Sequence, residues 1–235
     1  MLRLSTFLLT LLLAACGGTP AAPGAPGASD DGWTTLFDGE TLGGWHAFNG
    51  GAPADGWRVE DGTLHFAPGA EGGDIFADGV YGDFELELEW KVAPCGNSGI
   101  FYRGAERPDV DFIWRTGLEM QVLDDACHPD ARFPSHRAGA LYDLYTPSDL
   151  SAVRPGGEWN RARIVARGAR VEHWLNGVKV VEFDQGGDAW DVRVAASKFR
   201  DAETFPGFGT HTEGPLGLQD HGDPVWYRDI RVRRL

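Results

Sequence analysis

Phe84-Glu85-Leu86-Glu87-Leu88-Glu89-Trp90 is the stretch on which the fold turns. Apolar residues take every second position and acids fill the gaps. In an extended chain successive side chains point to opposite faces, so the pattern reads as a strand with one buried face and one wet face. The alternation recurs on both sides. Trp57-Arg58-Val59-Glu60 and Thr63-Leu64-His65-Phe66 flank Asp61-Gly62, a pair suited to a two-residue hairpin turn. Ala162 to Ala166, Val171 to Leu175 and Val178 to Phe183 follow, the last two joined by Asn176-Gly177. Ser98 to Arg103, Gly117 to Leu123, Gly214 to Leu218 and Val225 to Val232 complete the set. No segment carries a convincing amphipathic helical stripe. Many short strands between Gly, Asp and Asn turns imply an all-β sandwich or barrel.

Composition agrees. The chain has 33 glycines and 9 tryptophans, the mixture of a turn-rich β domain. At least half of the tryptophans are expected in the core, which leaves others free to stack on sugar rings. A net charge of −14 offers no electrostatic footprint for DNA or RNA, so no nucleic-acid partner is expected.

The N-terminus predicts the compartment. Arg3, the apolar run Leu4 to Leu13 and Ala14-Ala15-Cys16 form a lipoprotein signal pattern over residues 1–15. The run is too short for a membrane-spanning helix. Cys16 would become the acylated N-terminus, anchoring the chain to a membrane of the cell envelope. Residues 16–31, rich in Gly, Ala and Pro, read as a flexible tether, and 32–235 as one folded domain. With Cys16 lipidated, Cys95 and Cys127 remain as an even pair in an oxidising compartment, which predicts a disulfide.

Two long irregular stretches, Asp124 to Pro155 and Ala195 to Glu213, interrupt the strands; loops of that size in a compact domain carry function. Neither a phosphate-cradling loop nor a nucleophile elbow is present in the sequence.

The ordered blocks Leu36-Phe37-Asp38-Gly39, Gly73-Asp74-Ile75-Phe76, Tyr81-Gly82-Asp83-Phe84, Gly96-Asn97-Ser98-Gly99-Ile100-Phe101-Tyr102-Arg103 and Gly117-Leu118-Glu119-Met120-Gln121-Val122 continue into His128-Pro129-Asp130. Gly139-Ala140-Leu141-Tyr142-Asp143, Val171-Glu172-His173-Trp174-Leu175-Asn176-Gly177 and Gly217-Leu218-Gln219-Asp220-His221-Gly222 follow. Together they resemble the bacterial 3-keto-disaccharide hydrolase family over nearly all of 33–235. The resemblance implies a concanavalin-like jelly-roll β-sandwich of two antiparallel sheets. It also implies a small carbohydrate substrate, a glycoside already oxidised at the sugar's 3-position.

Residue chemistry supplies the candidate site. Glu119 and Gln121 lie two apart on one strand and so share a face, which we expect to be the concave, ligand-binding one. Glu85, Glu87 and Glu89 are expected on a wet convex face. Arg103 offers a planar fork for a keto oxygen or vicinal hydroxyls. Asn97 begins the same segment. Asp124, Asp125, His128 and Asp130 cluster past the Glu119 strand and read as proton shuttle, substrate contact or metal ligands; their spacing does not separate these. A divalent metal is thus possible, and no cofactor is evident. Lys198 is placed to polarise a carbonyl and His221 to line the site, whereas His173 shares its face with Val171 and Leu175 and reads as buried.

A ketone at C3 acidifies the C2 proton. A general base then gives an enolate, which expels the C1 substituent, and water adds back. Glu119 and His128 are the candidate base and acid, with Arg103 and Gln121 or Lys198 at the keto oxygen. The chain lacks the Glu-x-Asp-x-x-Glu strand that related jelly-roll glycosidases use, which argues against direct two-carboxylate hydrolysis. The competing expectation is a non-catalytic glycan-binding module.

Overall fold

The computed structural model describes residues 31–235. The expected signal peptide and acylated Cys16 lie outside them, as does all of the tether except Asp31. In chain order the strands are β1 Thr34–Thr35, β2 Trp45–Ala47, β3 Trp57–Glu60, β4 Thr63–Phe66, β5 Ile75–Tyr81, β6 Phe84–Val92 and β7 Asn97–Tyr102. Then come β8 Leu118–Leu123, β9 Asn160–Arg167, β10 Arg170–Leu175, β11 Val178–Asp184, β12 Gly214–Leu218 and β13 Val225–Arg234. An eight-stranded sheet runs β11-β10-β9-β6-β13-β4-β3, with β1 also paired to β13. A five-stranded sheet runs β2-β5-β12-β7-β8, and the ladders throughout are antiparallel. The fold is therefore the expected jelly-roll sandwich.

Period-two patterning builds the core. Phe84, Leu86, Leu88, Trp90 and Val92 of β6 face inward and are at most 3% exposed. They meet Ile100 and Tyr102 of β7 and Leu118, Met120 and Val122 of β8 in one cluster. Burial of each large side chain stabilises the sandwich by roughly 1.5–3 kcal/mol. Asp61 and Gly62, and Asn176 and Gly177, all have positive φ, as tight hairpin turns require. Five tryptophans (Trp33, Trp45, Trp57, Trp90, Trp190) are buried, so the core takes just over half of them.

Two polar bridges tie the layers together beneath the small sheet. Ser98 Oγ donates to the Gln219 carbonyl at 2.7 Å and meets Tyr227 Oη at 2.7 Å. His173, fully buried as expected, meets Tyr102 Oη through Nε2 at 2.7 Å and the Gly139 carbonyl through Nδ1 at 3.0 Å. Burial lowers its pKa to about 4, so the imidazole is neutral and each ring nitrogen has a partner.

Two features go beyond the sequence expectations. The first concerns helix: α1, Asp188–Ala196, exists between β11 and β12. It buries only Trp190, so its sequence shows no apolar stripe. The second concerns Glu85, Glu87 and Glu89. They do point outward, but Arg163 and Arg233 cover Glu85, Arg161 and Arg231 cover Glu87, and Arg228 covers Glu89. Glu85 is only 4% exposed, while the arginines over the three acids are 31–54% exposed, so this solvent-facing side is an ion-pair ladder and not a row of free carboxylates.

Cys95 and Cys127 are bonded, with Cα atoms 5.0 Å apart. The bridge fastens the loop after β8 to the turn before β7. Restricting the unfolded chain in this way is worth about 3–4 kcal/mol in the chain-entropy model.

Candidate active site

The outer face of the five-stranded sheet carries a cavity of about 290 Å³. Its wall along the sheet is Asn97, Glu119 and Gln121 on strands and Gln219 one residue past β12; loops contribute Trp114, Tyr142, Lys198 and His221. Register explains the strand set. Gly99 pairs with Gln121, Phe101 with Glu119 and Gly217 with Phe101, so these residues all point away from the core. Beside them Phe76, Phe101 and Ile113 form a second apolar cluster, with Phe48 and Trp114 packed against it.

Glu119 is the one carboxyl on the cavity wall. It is 8% exposed, and none of the described residues forms an ion pair or hydrogen bond with its carboxylate. Burial raises its pKa to about 8; Lys198 opposes the rise while Asp74 and Asp130 add to it. Gly99 makes the room, since a Cβ there would clash with Glu119 Oε1. Asp74, close by on the same face, is likewise buried, and its pKa is raised to about 7 by desolvation despite the hydrogen bond Oδ1 accepts from Asp220 N–H at 3.1 Å.

The Lys198 side chain is solvent-accessible, yet its ammonium lies 4.3 Å from the Tyr142 ring centroid, 5.2 Å from Phe199 and 5.8 Å from Trp114. Lost hydration lowers its pKa, and Glu119, Asp143 and Asp130 hold it up. The backbone N–H of Lys198 donates to Asp143 Oδ2 at 2.8 Å, which fixes the start of its short 3-10 turn. Tyr142 donates to Asp130 Oδ2 at 3.2 Å and stacks on His136 at 4.3 Å. The Asn97 amide nitrogen lies 3.2 Å from His221 Nε2. Asn97 Oδ1 and Gln219 Oε1 are buried acceptors with no partner among the described residues. Such groups cost about 1–3 kcal/mol each when unsatisfied, so a bound hydroxyl would be welcome there.

Of the residues singled out from sequence, Asn97, Glu119, Gln121, Lys198 and His221 therefore converge on one cavity. Three lie elsewhere. Arg103 is 1% exposed, and its fork is filled by Gln185 Oε1 at 2.9 Å and the Gly168 and Gly82 carbonyls at 2.8 and 3.1 Å. It knits β7 to two distant turns and does not face the cavity. Asp124 accepts backbone N–H groups of Cys95 and Ala126 at 2.8 and 3.1 Å. Burial would raise its pKa, but backbone N–H groups, Gly156 included, bring it below the ordinary value. It organises the disulfide loop. His128 caps the 3-10 turn Pro129–Arg132 by accepting Asp130 N–H, with its ring edge-on to His221 at 6.3 Å. Nor do the loop acids form one cluster: Asp125 accepts Ala138 N–H while Asp130 turns to Tyr142.

Sequence reasoning missed Trp114, Tyr142, Gln219 and Asp74. Tyr142, Gln219 and Asp74 stand inside the ordered blocks and were findable there. Trp114 comes from a loop, 104–117, whose sequence gives no sign that it folds back over the sheet.

Comparison with known proteins supplies the family. The model of the 3-keto-α-glucoside-1,2-lyase-like domain matches residues 32–233. A 3-keto-disaccharide hydrolase from Bacteroides thetaiotaomicron is 36% identical over 230 residues, covering 87% of this chain and 79% of its own. A crystal structure from Parabacteroides distasonis, provisionally assigned as a glycosyl hydrolase, superposes with a TM-score of 0.78 at 34% identity, covering 87% of this chain and 94% of that one. A Bacillus licheniformis β-glucanase, at 8% identity and a TM-score of 0.51 over 86% and 97% of the two chains, shares the fold alone. The chain belongs to the 3-keto-α-glucoside-1,2-lyase-like family.

Proposed function

We propose that this carbohydrate-active protein cleaves 3-keto-glycosides by elimination and rehydration, with Glu119 as the base. The observation that carries the reading is an unpaired, buried carboxyl with a raised pKa opposite an aromatic-lined lysine. Glu119 takes the C2 proton, and the C–H electron pair moves into the C3 carbonyl. Lys198 holds the enolate oxygen, a charge that exists only once the proton has left. When C3=O re-forms, a C1=C2 double bond appears and the C1–O bond breaks. Glu119, now a carboxylic acid, returns its proton to the departing oxygen. Water then adds its hydroxyl to C1 and a proton to C2, and the net result is hydrolysis. Asn97, Gln121, Gln219 and His221 are available to the sugar hydroxyls, with Asn97 and Gln219 offering unsatisfied acceptors.

Incubating the full chain with 3-keto-trehalose, 3-keto-lactose and a 3-keto-β-glucoside, beside their unoxidised parents, tests the reading. It expects release of 3-keto-glucose or its unsaturated product from the keto forms alone. Equal cleavage of the parents, or binding without turnover, would overturn it.

The same proposal places the protein in the cell envelope, anchored through Cys16. The Leu4–Leu13 run before Ala14-Ala15-Cys16 and the Cys95–Cys127 bond support this. Fatty-acid labelling that survives Cys16→Ser would contradict it.

A further inference from the structure

A second cavity, of about 400 Å³, opens on the same sheet face and is lined in part by Phe48, Asn49, Asp74, Asp111 and Phe112. Three observations make it the neighbour of the Glu119 cavity and not a separate surface feature. Phe112, on its wall, stacks on Trp114 of the first cavity at 5.4 Å and 15°. Phe48 of one cavity and Trp114 of the other pack on the same Phe76–Phe101–Ile113 cluster. Asp74 of the second cavity accepts the N–H of Asp220, the residue after Gln219 of the first, and Asp220 Oδ2 in turn accepts Gly73 N–H at 2.7 Å. The two compartments share a partition made of a stacked aromatic pair and a carboxyl-bearing turn.

We infer that the second cavity is the subsite for the departing sugar ring, with Phe112 as its stacking platform. The inference rests on the 3-keto-glycoside reading and adds where the leaving group goes. A pyranose presents an apolar C–H face and a rim of hydroxyls. This cavity answers both: Phe112, an aromatic left 47% exposed, offers a flat apolar surface, while Asp74 and Asp111 offer acceptors. The loop holding Phe112 is fastened to the sheet side, because Asn49 Nδ2 donates to the Val110 carbonyl at 3.0 Å and Asn49 N–H to Glu106 Oε1 at 2.9 Å. Glu106 also meets His46 Nε2 at 3.1 Å. The platform is therefore held in place before a ligand arrives. Together the two compartments fall within the roughly 300–1,000 Å³ that small-ligand sites occupy.

The test compares two substrates on the full chain: a 3-keto-disaccharide and methyl 3-keto-glucoside, whose methyl group is too small to reach Phe112. Phe112→Ala is expected to raise KM for the disaccharide about tenfold, the scale of one lost aromatic contact, with kcat little changed. KM for the methyl glucoside should stay within about twofold. Phe112→Tyr should restore the disaccharide KM, since the ring is kept. Equal effects on both substrates, or none on either, would overturn the subsite while leaving the Glu119 chemistry standing. Failure of the wild-type chain to turn over either substrate would overturn the underlying reading and the subsite with it.

Discussion

Both sheets point glutamate outward, Glu85, Glu87 and Glu89 on β6 of the large sheet and Glu119 alone on β8 of the small one, and they treat it in opposite ways. On the large sheet, Glu87 receives Arg161 at 2.7 Å and Arg231 at 2.6 Å. Burial would raise its pKa, but the two guanidinium groups bring it below the ordinary carboxylate value. On the small sheet, Glu119 is buried more deeply and has no partner among the described residues, and its pKa rises to about 8. The strands carry the same local code, an acid between apolar neighbours. The difference comes from the adjoining strands: β9 and β13 set arginines opposite β6, whereas β7 sets Phe101 and Gly99 beside Glu119. On the function proposed above, satisfied charge makes the structural face and unsatisfied charge the reactive one.

Substitutions can break this contrast from either side. The largest effect is expected at Glu119→Gln, which removes the base but keeps the shape: kcat should fall by about 10²–10⁴-fold, with the melting temperature held or raised. Lys198→Met, read by the same turnover assay, should cost less, about 10²-fold in kcat, because the enolate oxygen keeps its polar neighbours but loses its cation. On the opposite sheet, Glu87→Gln should leave turnover untouched and cost about 1 kcal/mol by denaturant titration, since both arginines are half-exposed. The sign with pH follows from the lowered pKa. The Glu87 contribution is complete above the unfolded carboxylate value and is lost as pH falls through the folded one, so the variant and wild type should converge in stability in acid. The smallest effect is expected at Asp74→Asn. Asp74 helps to raise the Glu119 pKa, so its neutralisation should move the rising limb of the rate profile to lower pH by less than about one pH unit.

Much of the sandwich was legible because period-two alternation is a local signal. Phe84 to Trp90 announces its own inner and outer faces, and Asp61-Gly62 and Asn176-Gly177 announce their turns. Helix α1 was not legible, because one buried tryptophan makes no stripe. The site was legible where a strand carries it: Glu119 and Gln121 share a face by arithmetic alone. Arg103 shows where that reasoning ends. An arginine at a strand end looks free, and nothing nearby in sequence tells that carbonyls 21 and 65 residues away will fill its fork. The arginines over the Glu85–Glu89 face were hidden for the same reason, lying 74 to 148 residues distant. Trp114 and Phe112 belong to a loop whose path over the sheet is a tertiary fact.

The most direct test is the pH dependence of kcat/KM on a 3-keto-glycoside, measured for wild type and Glu119→Gln. The base must be ionised, so the wild-type rate should rise tenfold per pH unit and level off near pH 8, where Glu119 titrates. The variant should lose both the rate and this limb. A variant that keeps the same limb at a rate within a few-fold of wild type would contradict the assignment of Glu119 as the base.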